Sequence, residues 1–295
     1  MADAVVLTGA TGFVGRAVLA ELVTRRVPVH AVSRNGGPAL NGVAWHRVDL
    51  LTPEGRAAVA SLAPRMIHCA WEVEHAVFWT SPENAVWQAA TIDLARRFQA
   101  GGGQRLLALG TCAEHDVTVP GVWDESCPVA PASPYGQAKA GLHRALMDIC
   151  GDGLIWARLF HLYGPGEDTR RLIPYLIDRL SSGQTAEVRG AGLVRDYAST
   201  AHVARCLVAL LQSGAAGAFN IGSGSPRSLG DLAQVIARAL GRADRLVLGD
   251  APAAHEPAVM APDPARLWAA TGLAPEDPGA ALAHFVHSGM IRPLR

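Results

Sequence analysis

The stretch Thr8-Gly9-Ala10-Thr11-Gly12-Phe13-Val14-Gly15 follows the apolar run Ala4-Val5-Val6-Leu7 near the start of a 295-residue chain. The apolar run predicts a short buried strand, and the glycines predict a turn into a helix over residues 12–24. In such a turn Gly9 takes the tight bend, Gly12 lets a pyrophosphate approach the backbone, and Gly15 lets the helix lie close on the strand. This arrangement is typical of dinucleotide binding, with the phosphates at the helix N-terminus. Because the spacing is G-x-x-G-x-x-G, a simple glycine-rich turn is the alternative.

The ends of the next two predicted strands bear on the kind of dinucleotide. The second strand, residues 27–32, leads into Ser33 and Arg34, where an NAD-binding chain usually has an acidic residue for the ribose hydroxyls. A guanidinium matches the oxygens of a 2′-phosphate, so the sequence favours NADP(H) over NAD(H), with a solvated loop charge as the alternative for Arg34. The third strand, residues 44–48, ends at Asp49 and Leu50, and Asp49 could accept a hydrogen bond from an adenine amino group.

A tyrosine and a lysine four residues apart, Tyr135 and Lys139, lie in Ser133-Pro134-Tyr135-Gly136-Gln137-Ala138-Lys139. On a helix this spacing puts both side chains on one face, where an ammonium can favour the ionised phenol. A tyrosine normally titrates near pH ~10, so it needs such a neighbour to exchange a proton at neutral pH. Tyr135 is therefore a candidate acid or base. Such pairs also occur by chance, and the glycine turn upstream is the observation that favours a catalytic role for this pair.

Apolar strands alternate with helical stretches through the first half of the chain. Further strands are predicted at residues 66–70 and 106–109, and helices at 82–100 and 134–150. This alternation predicts an α/β fold, a Rossmann-type doubly wound parallel sheet with its ligand beyond the carboxyl ends of the strands. After about residue 163 the pattern loosens into Gly/Pro-rich turns, three helices (172–180, 200–211 and 228–240) and an Ala/Pro-rich connector, 250–264. We expect a dinucleotide-binding domain over 1–163 and a smaller C-terminal α/β substrate lobe over 164–295, with some segments returning to the main sheet.

With these motifs in place, the chain resembles the extended short-chain dehydrogenase/reductases of the NAD(P)-dependent epimerase/dehydratase family, which act mostly on nucleotide sugars. The resemblance runs nearly end to end. Besides the glycine turn and the Tyr/Lys pair, it rests on four segments in family order: Arg105-Leu106-Leu107-Ala108-Leu109-Gly110-Thr111, Arg158-Leu159-Phe160-His161-Leu162-Tyr163-Gly164-Pro165-Gly166, Val194-Arg195-Asp196-Tyr197 and Phe219-Asn220-Ile221-Gly222-Ser223-Gly224.

The resemblance implies roles for particular residues. The catalytic set is Thr111, which would hydrogen-bond the substrate carbonyl or hydroxyl, Tyr135, which would exchange its proton, and Lys139, which would bind the nicotinamide ribose and lower the pKa of Tyr135. Expected cofactor contacts are Gly9, Thr11, Gly12, Phe13, Val14, Gly15, Ser33, Arg34, Asp49, Leu50, Cys69, Ala70, Trp71, Tyr135 and Lys139. Expected substrate contacts are Trp71, Thr111, Cys112, Tyr135, His161 and Arg195.

Two of these substrate contacts carry reservations. Arg195 resembles the arginine that neutralises the substrate's pyrophosphate, and a surface hairpin charge is the alternative. His161 stands where relatives commonly have Asn, and it can still donate to a phosphate or a backbone group. A further departure is His202, at a position that is often acidic in the family.

Aromatic residues are concentrated in Trp71-Glu72-Val73-Glu74-His75-Ala76-Val77-Phe78-Trp79, with Trp87 beyond. In the family this position borders the nicotinamide and the sugar, so a hydrophobic wall here would suit a deoxysugar with an apolar methyl group. Packing against a helix or a dimer partner is the alternative. Asn84 resembles an asparagine that orders this region in relatives.

The residues after Thr111 bear on the reaction. Sugar 4,6-dehydratases usually follow this Thr with an Asp-Glu pair, whereas this chain has Cys112 and Ala113. Glu114 comes one step later and is expected to point elsewhere, which disfavours dehydration. A Cys/His pair such as Cys112 with His115 or His161 could serve C3/C5 epimerisation, but the family spacing is not matched. The favoured reading is an NADPH-dependent 4-ketoreductase of a 4-keto-6-deoxy sugar nucleotide. A nucleotide-sugar 4-epimerase and a non-catalytic NADP sensor or scaffold are the alternatives.

Composition agrees with a globular enzyme. The chain is 49% hydrophobic, and its formal net charge is zero, which argues against nucleic acid or an anionic membrane as partner. No basic n-region or long apolar span is seen, so we expect a cytoplasmic protein without an export signal. Five cysteines without C-x-x-C spacing predict neither disulfides nor a metal site. The family implies a homodimer formed through the helices at 82–100 and 134–150.

Overall fold

The computed structural model describes residues 3–250 and 257–288. Its strands are β1 (Val5–Thr8), β2 (Val29–Ser33), β3 (Val43–Arg47), β4 (Arg65–His68), β5 (Arg105–Thr111), β6 (Val122–Trp123), β7 (Leu154–Leu159), β8 (His161–Tyr163), β9 (Ala186–Arg189), β10 (Val194–Arg195), β11 (Tyr197–Ser199), β12 (Gly217–Ile221), β13 (Arg227–Ser228), β14 (Leu246–Gly249) and β15 (Val259–Pro262). Its helices are α1 (Phe13–Thr24), α2 (Pro53–Val59), α3 (Glu83–Ala100), α4 (Pro134–Cys150), α5 (Leu172–Ser181), α6 (Thr200–Gln212), α7 (Leu229–Ala239), α8 (Ala265–Thr271) and α9 (Pro278–His287).

Seven parallel strands form the main sheet, in the order β3-β2-β1-β4-β5-β7-β12. The strand order reverses between β1 and β4, and in such sheets the crevice beyond the carboxyl ends at this point receives the ligand. The central strands are buried on both faces, as their uninterrupted apolar runs indicate. The predicted Rossmann-type doubly wound fold is confirmed.

Helices cover both faces of this sheet. One face packs on α1 and α6, where Val18 and Leu22 meet Leu207 and Leu211 in one apolar cluster. The other packs on α2, α3 and α4, with Phe98 and Leu142 in a second cluster. The loops that lead from a strand into the following helix lie at the carboxyl edge of the sheet, where the predicted site residues lie.

A third apolar cluster lies among α5, α7, α9 and the strand pair β9–β14. A separate four-stranded sheet has the order β13-β10-β15-β6. Although α6 and β12 come after residue 163, they belong to the layers of the main sheet. The division into a 1–163 and a 164–295 domain, with returning segments, stays a prediction.

The predicted elements agree with the observed ones to within about two residues at most ends. Elements without a prediction include α2, α8 and α9, and also β15, which lies inside the stretch 250–264 that we interpreted as a connector. Residues 251–256 of that connector lie outside the described residues. Within the described ranges, no helix is both long enough and apolar enough to span a bilayer.

Candidate active site

The glycine turn after β1 has the shape that a dinucleotide requires. Gly9 has φ +65°, and a Cβ there would lie 2.8 Å from the Ala70 nitrogen at the end of β4. A Cβ on Gly15 would overlap the Gly9 carbonyl, so Gly15 lets α1 approach the turn itself rather than the strand. Gly12 is the N-cap of α1, and no side chain caps this helix or adds an acidic charge to its first turn. The first amides of α1, at Phe13 and Val14, are therefore suited to phosphate oxygens.

Buried polar side chains brace the adjoining end of β4. The Thr8 hydroxyl lies 2.8 Å from His68 Nδ1, and His68 Nε2 lies 3.1 Å from the Thr91 hydroxyl. The Thr91 hydroxyl donates its hydrogen to the Trp87 carbonyl, so its oxygen must accept from His68 Nε2. His68 is therefore assigned the Nε2–H tautomer. Burial lowers the pKa of His68 to about 3, so the ring is neutral. This network fixes β4 against β1 just before Cys69, Ala70 and Trp71.

The three expected catalytic residues come from two elements that meet at the carboxyl edge. Thr111 ends β5, and Tyr135 and Lys139 occupy the first two turns of α4. That helix begins where it does because the Ser133 hydroxyl accepts the Gly136 amide at 3.1 Å and Pro134 fills the first helical position.

The hydroxyl-bearing side chains of Thr111 and Tyr135 are buried and lie within hydrogen-bonding reach of each other. Thr111 and Tyr135 are 8% and 9% exposed. Thr111 Oγ1 accepts the Ala113 amide at 3.2 Å, and its hydroxyl hydrogen remains for donation to another acceptor. Burial raises the pKa of Tyr135 above its usual value, and a hydrogen bond with Thr111 is the largest opposing effect. Tyr135 is therefore a phenol, not a phenolate, in this structure.

Lys139 is also buried, at 4% exposed. Its Nζ donates to the Leu109 carbonyl at 2.9 Å, sits 3.7 Å over the centre of the Trp71 ring, and is 6.0 Å from the centre of the Tyr135 ring. Burial lowers the pKa of Lys139 to about 7, and Glu114 and Cys69 oppose this shift. The expected lowering of the Tyr135 pKa by Lys139 stays a prediction.

The aromatic segment after β4 encloses Tyr135. The rings of Phe78 and Trp79 contact Tyr135 edge-on, with centroids 4.8 and 5.7 Å away, and the Trp79 carbonyl accepts the Tyr135 amide at 3.1 Å. Asn84 holds the segment, because its amide donates to the Phe78 carbonyl and its oxygen accepts from Trp71 Nε1. Trp79 is 44% exposed and so presents apolar surface beside the Tyr135 phenol.

At the other end of the crevice, Arg34 and Asp49 are exposed, and Ser33 donates to the Gly36 carbonyl at 2.8 Å. Asp49 accepts the Leu51 amide at 2.9 Å, and Leu50 is buried. Sequence reasoning missed Arg47, whose Nε lies 2.9 Å from where a Cβ on Gly36 would be. Because Arg47 pairs with Ser33 in the β2–β3 register, a second guanidinium borders the same loop as Arg34.

Arg195 is 3% exposed, so its interpretation as a surface hairpin charge is wrong. It donates to the Val194 and Pro257 carbonyls at 2.8 and 2.9 Å. His161 stacks on Tyr197, with centroids 5.1 Å apart, and burial together with Arg195 and Arg171 lowers its pKa to about 3. Cys112 Sγ lies 4.0 Å from Met260 Sδ, and burial raises its pKa to about 12. His161 and Cys112 are therefore both uncharged.

Two signals in the sequence were overlooked. Lys139 is the only lysine of the chain, and all the other basic side chains among the 26 are arginines. Gly110 directly precedes Thr111, and the structure shows that its missing side chain makes room for Glu114 and Trp156. Glu114 points into the interior, as expected. No group of three or more His, Cys, Asp or Glu among the described residues could hold a metal ion.

Comparison with known proteins extends these observations. A family model described as the NAD dependent epimerase/dehydratase family matches residues 5–222. A dTDP-4-dehydro-6-deoxy-D-allose reductase of Streptomyces bikiniensis is 26% identical over 275 residues, which cover 83% of each chain. A dTDP-glucose 4,6-dehydratase of an Actinoplanes species is 31% identical over 163 residues, 54% of this chain and 50% of that one. The chain thus spans about half the length of this dehydratase in the match.

Solved structures share the fold. The Bordetella bronchiseptica enzyme WbmG, crystallised in complex with NAD, has a TM-score of 0.84 at 20% identity and covers 100% of this chain and 97% of its own. A UDP-glucose 4-epimerase of Thermotoga maritima has a TM-score of 0.82 at 19% identity, with 96% and 97% covered. At these identities the likeness concerns the fold.

Proposed function

Because the chain belongs to the NAD-dependent epimerase/dehydratase family, as its motifs predicted, we propose that it is an NADPH-dependent 4-ketoreductase. Its substrate would be a nucleotide-activated 4-keto-6-deoxy sugar. The observation that carries this choice is the state of Glu114, the carboxylate nearest to Thr111 in sequence. Glu114 is fully buried and bound by the Thr111 amide, Trp156 and Arg158. It is not free to act as the acid or base of a dehydratase, while Thr111, Tyr135 and Lys139 are all kept.

The protonation states fit a reduction. The Thr111 hydroxyl would donate its hydrogen to the substrate carbonyl oxygen instead of to Tyr135, which would polarise the carbonyl. Tyr135, with its raised pKa, holds the proton that this oxygen must receive. A 4-epimerase would first need the phenolate as a base. When bound, the cofactor supplies the hydride.

Particular residues would hold that cofactor. The uncapped first turn of α1 suits the pyrophosphate, and Lys139 lies where it could reach the nicotinamide ribose. Arg34 and Arg47 border the loop after β2, and two guanidinium groups there favour a 2′-phosphate. NADPH is therefore the proposed cofactor.

The substrate would lie between the aromatic segment and β10. The exposed part of Trp79, beside Tyr135, offers an apolar surface to a 6-methyl group. Arg195 is proposed to face the substrate diphosphate. C3/C5 epimerisation is disfavoured because Cys112 is a neutral thiol, not the thiolate that would abstract a proton.

The proposed function is tested by NADPH oxidation with a dTDP-4-keto-6-deoxy sugar, followed by NMR of the product. We expect stoichiometric loss of NADPH and a 4-hydroxy product. Tyr135→Phe should lower turnover by about 10²–10⁴-fold, since it removes the proton donor. Tyr175→Phe, in α5, is the matched control and should leave turnover unchanged. C4 inversion of a UDP-hexose without NADPH loss would instead identify a 4-epimerase.

The cofactor preference is tested by titrating NADPH and NADH into the protein and two variants. Arg34→Ala and Arg47→Ala should each weaken NADPH binding by about 10-fold, because each removes a charge-assisted contact to the 2′-phosphate, and should leave NADH unchanged. Arg242→Ala, an exposed arginine in the C-terminal half, serves as control. Tighter binding of NADH by the unmodified protein would overturn the NADPH proposal.

A further inference from the structure

A buried carboxylate lies directly behind the catalytic threonine. Glu114 is 0% exposed, and its Oε1 accepts the Thr111 amide at 2.8 Å. Trp156 Nε1 donates to both carboxylate oxygens, at 3.1 and 3.0 Å, and Arg158 Nε donates to Oε2 at 3.0 Å. Arg158 is itself 3% exposed. Three N–H donors from three different residues therefore fix this carboxylate.

The carboxylate also fixes the backbone in front of it. A Cβ on Gly110 would overlap Trp156 Nε1 and Glu114 Oε1, so both groups lie against the glycine. Thr111 and Glu114 form a reciprocal capping box, in which the Thr111 hydroxyl accepts the Ala113 amide. The side chain of Thr111 is therefore held at the end of β5 from behind.

Lys139 is attached to the same short stretch of backbone. Its Nζ donates to the Leu109 carbonyl, one peptide group before the Thr111 amide that Glu114 binds. Glu114 and Lys139 thus hold adjacent peptide groups on either side of Gly110. A shift of this segment would displace the Thr111 hydroxyl and the Lys139 ammonium together.

We propose that Glu114, clamped by Arg158 and Trp156, is a positioning residue that sets the end of β5 and so aligns Thr111 with Lys139. The proposal rests on the proposed function only in taking Thr111 and Lys139 as catalytic. Glu114 does not itself contact the substrate, because it is fully buried behind the strand.

The charge of Glu114 reaches Lys139 as well. Glu114 raises the pKa of Lys139, and this is the largest effect that opposes the lowering of that pKa by burial. The other titratable groups around Lys139 are Cys69 and His68, from the end of β4, and Tyr135 on α4 itself. Removal of the carboxylate should therefore lower the pKa of Lys139.

The sequence offers a direct readout of Lys139. Because it is the only lysine, protein grown with ¹³C-labelled lysine gives a single Cε signal, which can be titrated without assignment. Glu114→Gln should lower the midpoint of this titration by about one pH unit, since one negative charge is lost from a low-dielectric site. Asp93→Asn, which breaks the Arg56–Asp93 ion pair between α2 and α3, is the control and should leave the midpoint unchanged.

Turnover gives the second readout. Glu114→Gln should lower kcat by about 10-fold or more, through misplacement of Thr111 and Lys139. If the unmodified protein turns over neither substrate named above, the proposed function fails, while the lysine titration still tests Glu114. An unchanged midpoint together with unchanged kcat would overturn the positioning role.

Glu114→Gln leaves Arg158 as a buried charge without its partner, which can prevent folding. The double variant Glu114→Leu/Arg158→Met removes both charges at similar volume and is expected to fold. In this variant we expect the same loss of kcat and at least about 10-fold faster hydrogen exchange of the Thr111 amide, because its acceptor is gone. Wild-type exchange and wild-type kcat in the folded double variant would overturn the proposal.

Discussion

At the scale of single residues, the site holds two groups whose pKa values differ from those in water. Burial keeps the proton on Tyr135 and lowers the pKa of Lys139 to about 7. The sequence identified both residues, because four-residue spacing on a helix is visible in the chain. It could not give the protonation states, since these depend on burial by Trp71 and on the Leu109 carbonyl, which come from other elements.

Lys139 predicts a pH dependence of the proposed activity. Its ammonium form is present below its pKa of about 7 and is lost as pH rises. If the ammonium orients the cofactor, kcat/KM should fall above about pH 7. Lys139→Arg should be slower at neutral pH but should lack this fall, because a guanidinium stays charged to beyond pH ~12. A pH–rate profile for both proteins checks this, and a fall of equal size in both would assign it to another group.

At the scale of elements, the predictable features were those coded by short segments. The start of α4 is coded by Ser133 and Pro134, and β1 by its apolar run, so both were predicted from the sequence. The strand β15 was missed because Val259–Pro262 is short and contains a proline. It becomes a strand through pairing with β10 and β6. The network behind Thr111 was missed because Glu114 and Arg158 lie 44 residues apart.

The close contact of α1 with the glycine turn predicts that a side chain at Gly15 is not tolerated. Gly15→Ala would place a methyl group on the Gly9 carbonyl, so α1 must move. We expect a loss of about 1–3 kcal/mol of stability and much weaker NADPH binding, because the phosphate-facing amides shift with the helix. Gly214→Ala is the matched control, since its Cβ would meet open space. Urea unfolding and cofactor titration measure both effects. Equal behaviour of the two variants would contradict this account of Gly15.

At the scale of the whole molecule, buried neutral histidines predict acid sensitivity. The pKa of His68 is about 3 in the folded protein and near 6.5 when unfolded, so the unfolded chain binds more protons between these values. Stability from His68 is complete above pH 6.5 and is lost as pH falls. At pH 5 the loss is about 2 kcal/mol relative to pH 7.5.

The test is urea unfolding of the wild type and His68→Gln at the two pH values. A glutamine can accept from Thr8 and donate to Thr91, so the value at pH 7.5 serves as the internal control. The variant should lose about 2 kcal/mol less on acidification. Equal losses in both proteins would show that His68 does not contribute.

Exposed apolar side chains on α3 and α4 agree with the homodimer that the family resemblance implies. Val86 and Met147 are 46% and 41% exposed on this helix pair. A Val86→Glu change should convert a dimer to a monomer, because it places a charge in an apolar contact. Val247→Glu, at a strand residue that is 49% exposed on β14, should not. Light scattering after size exclusion distinguishes the two states, and a monomeric wild type would end the proposal.

The single lysine has one more consequence. Lys139 is 4% exposed, and all the other residues among the 26 Lys and Arg are arginines. Amine-directed cross-linkers and fluorophores therefore find almost no side-chain target on the folded protein. The slow rate of acylation of Lys139 would then report how often the site becomes accessible to solvent. A ligand bound at the site would lower this rate. Lys139 can therefore serve as a covalent footprinting probe at the proposed active site.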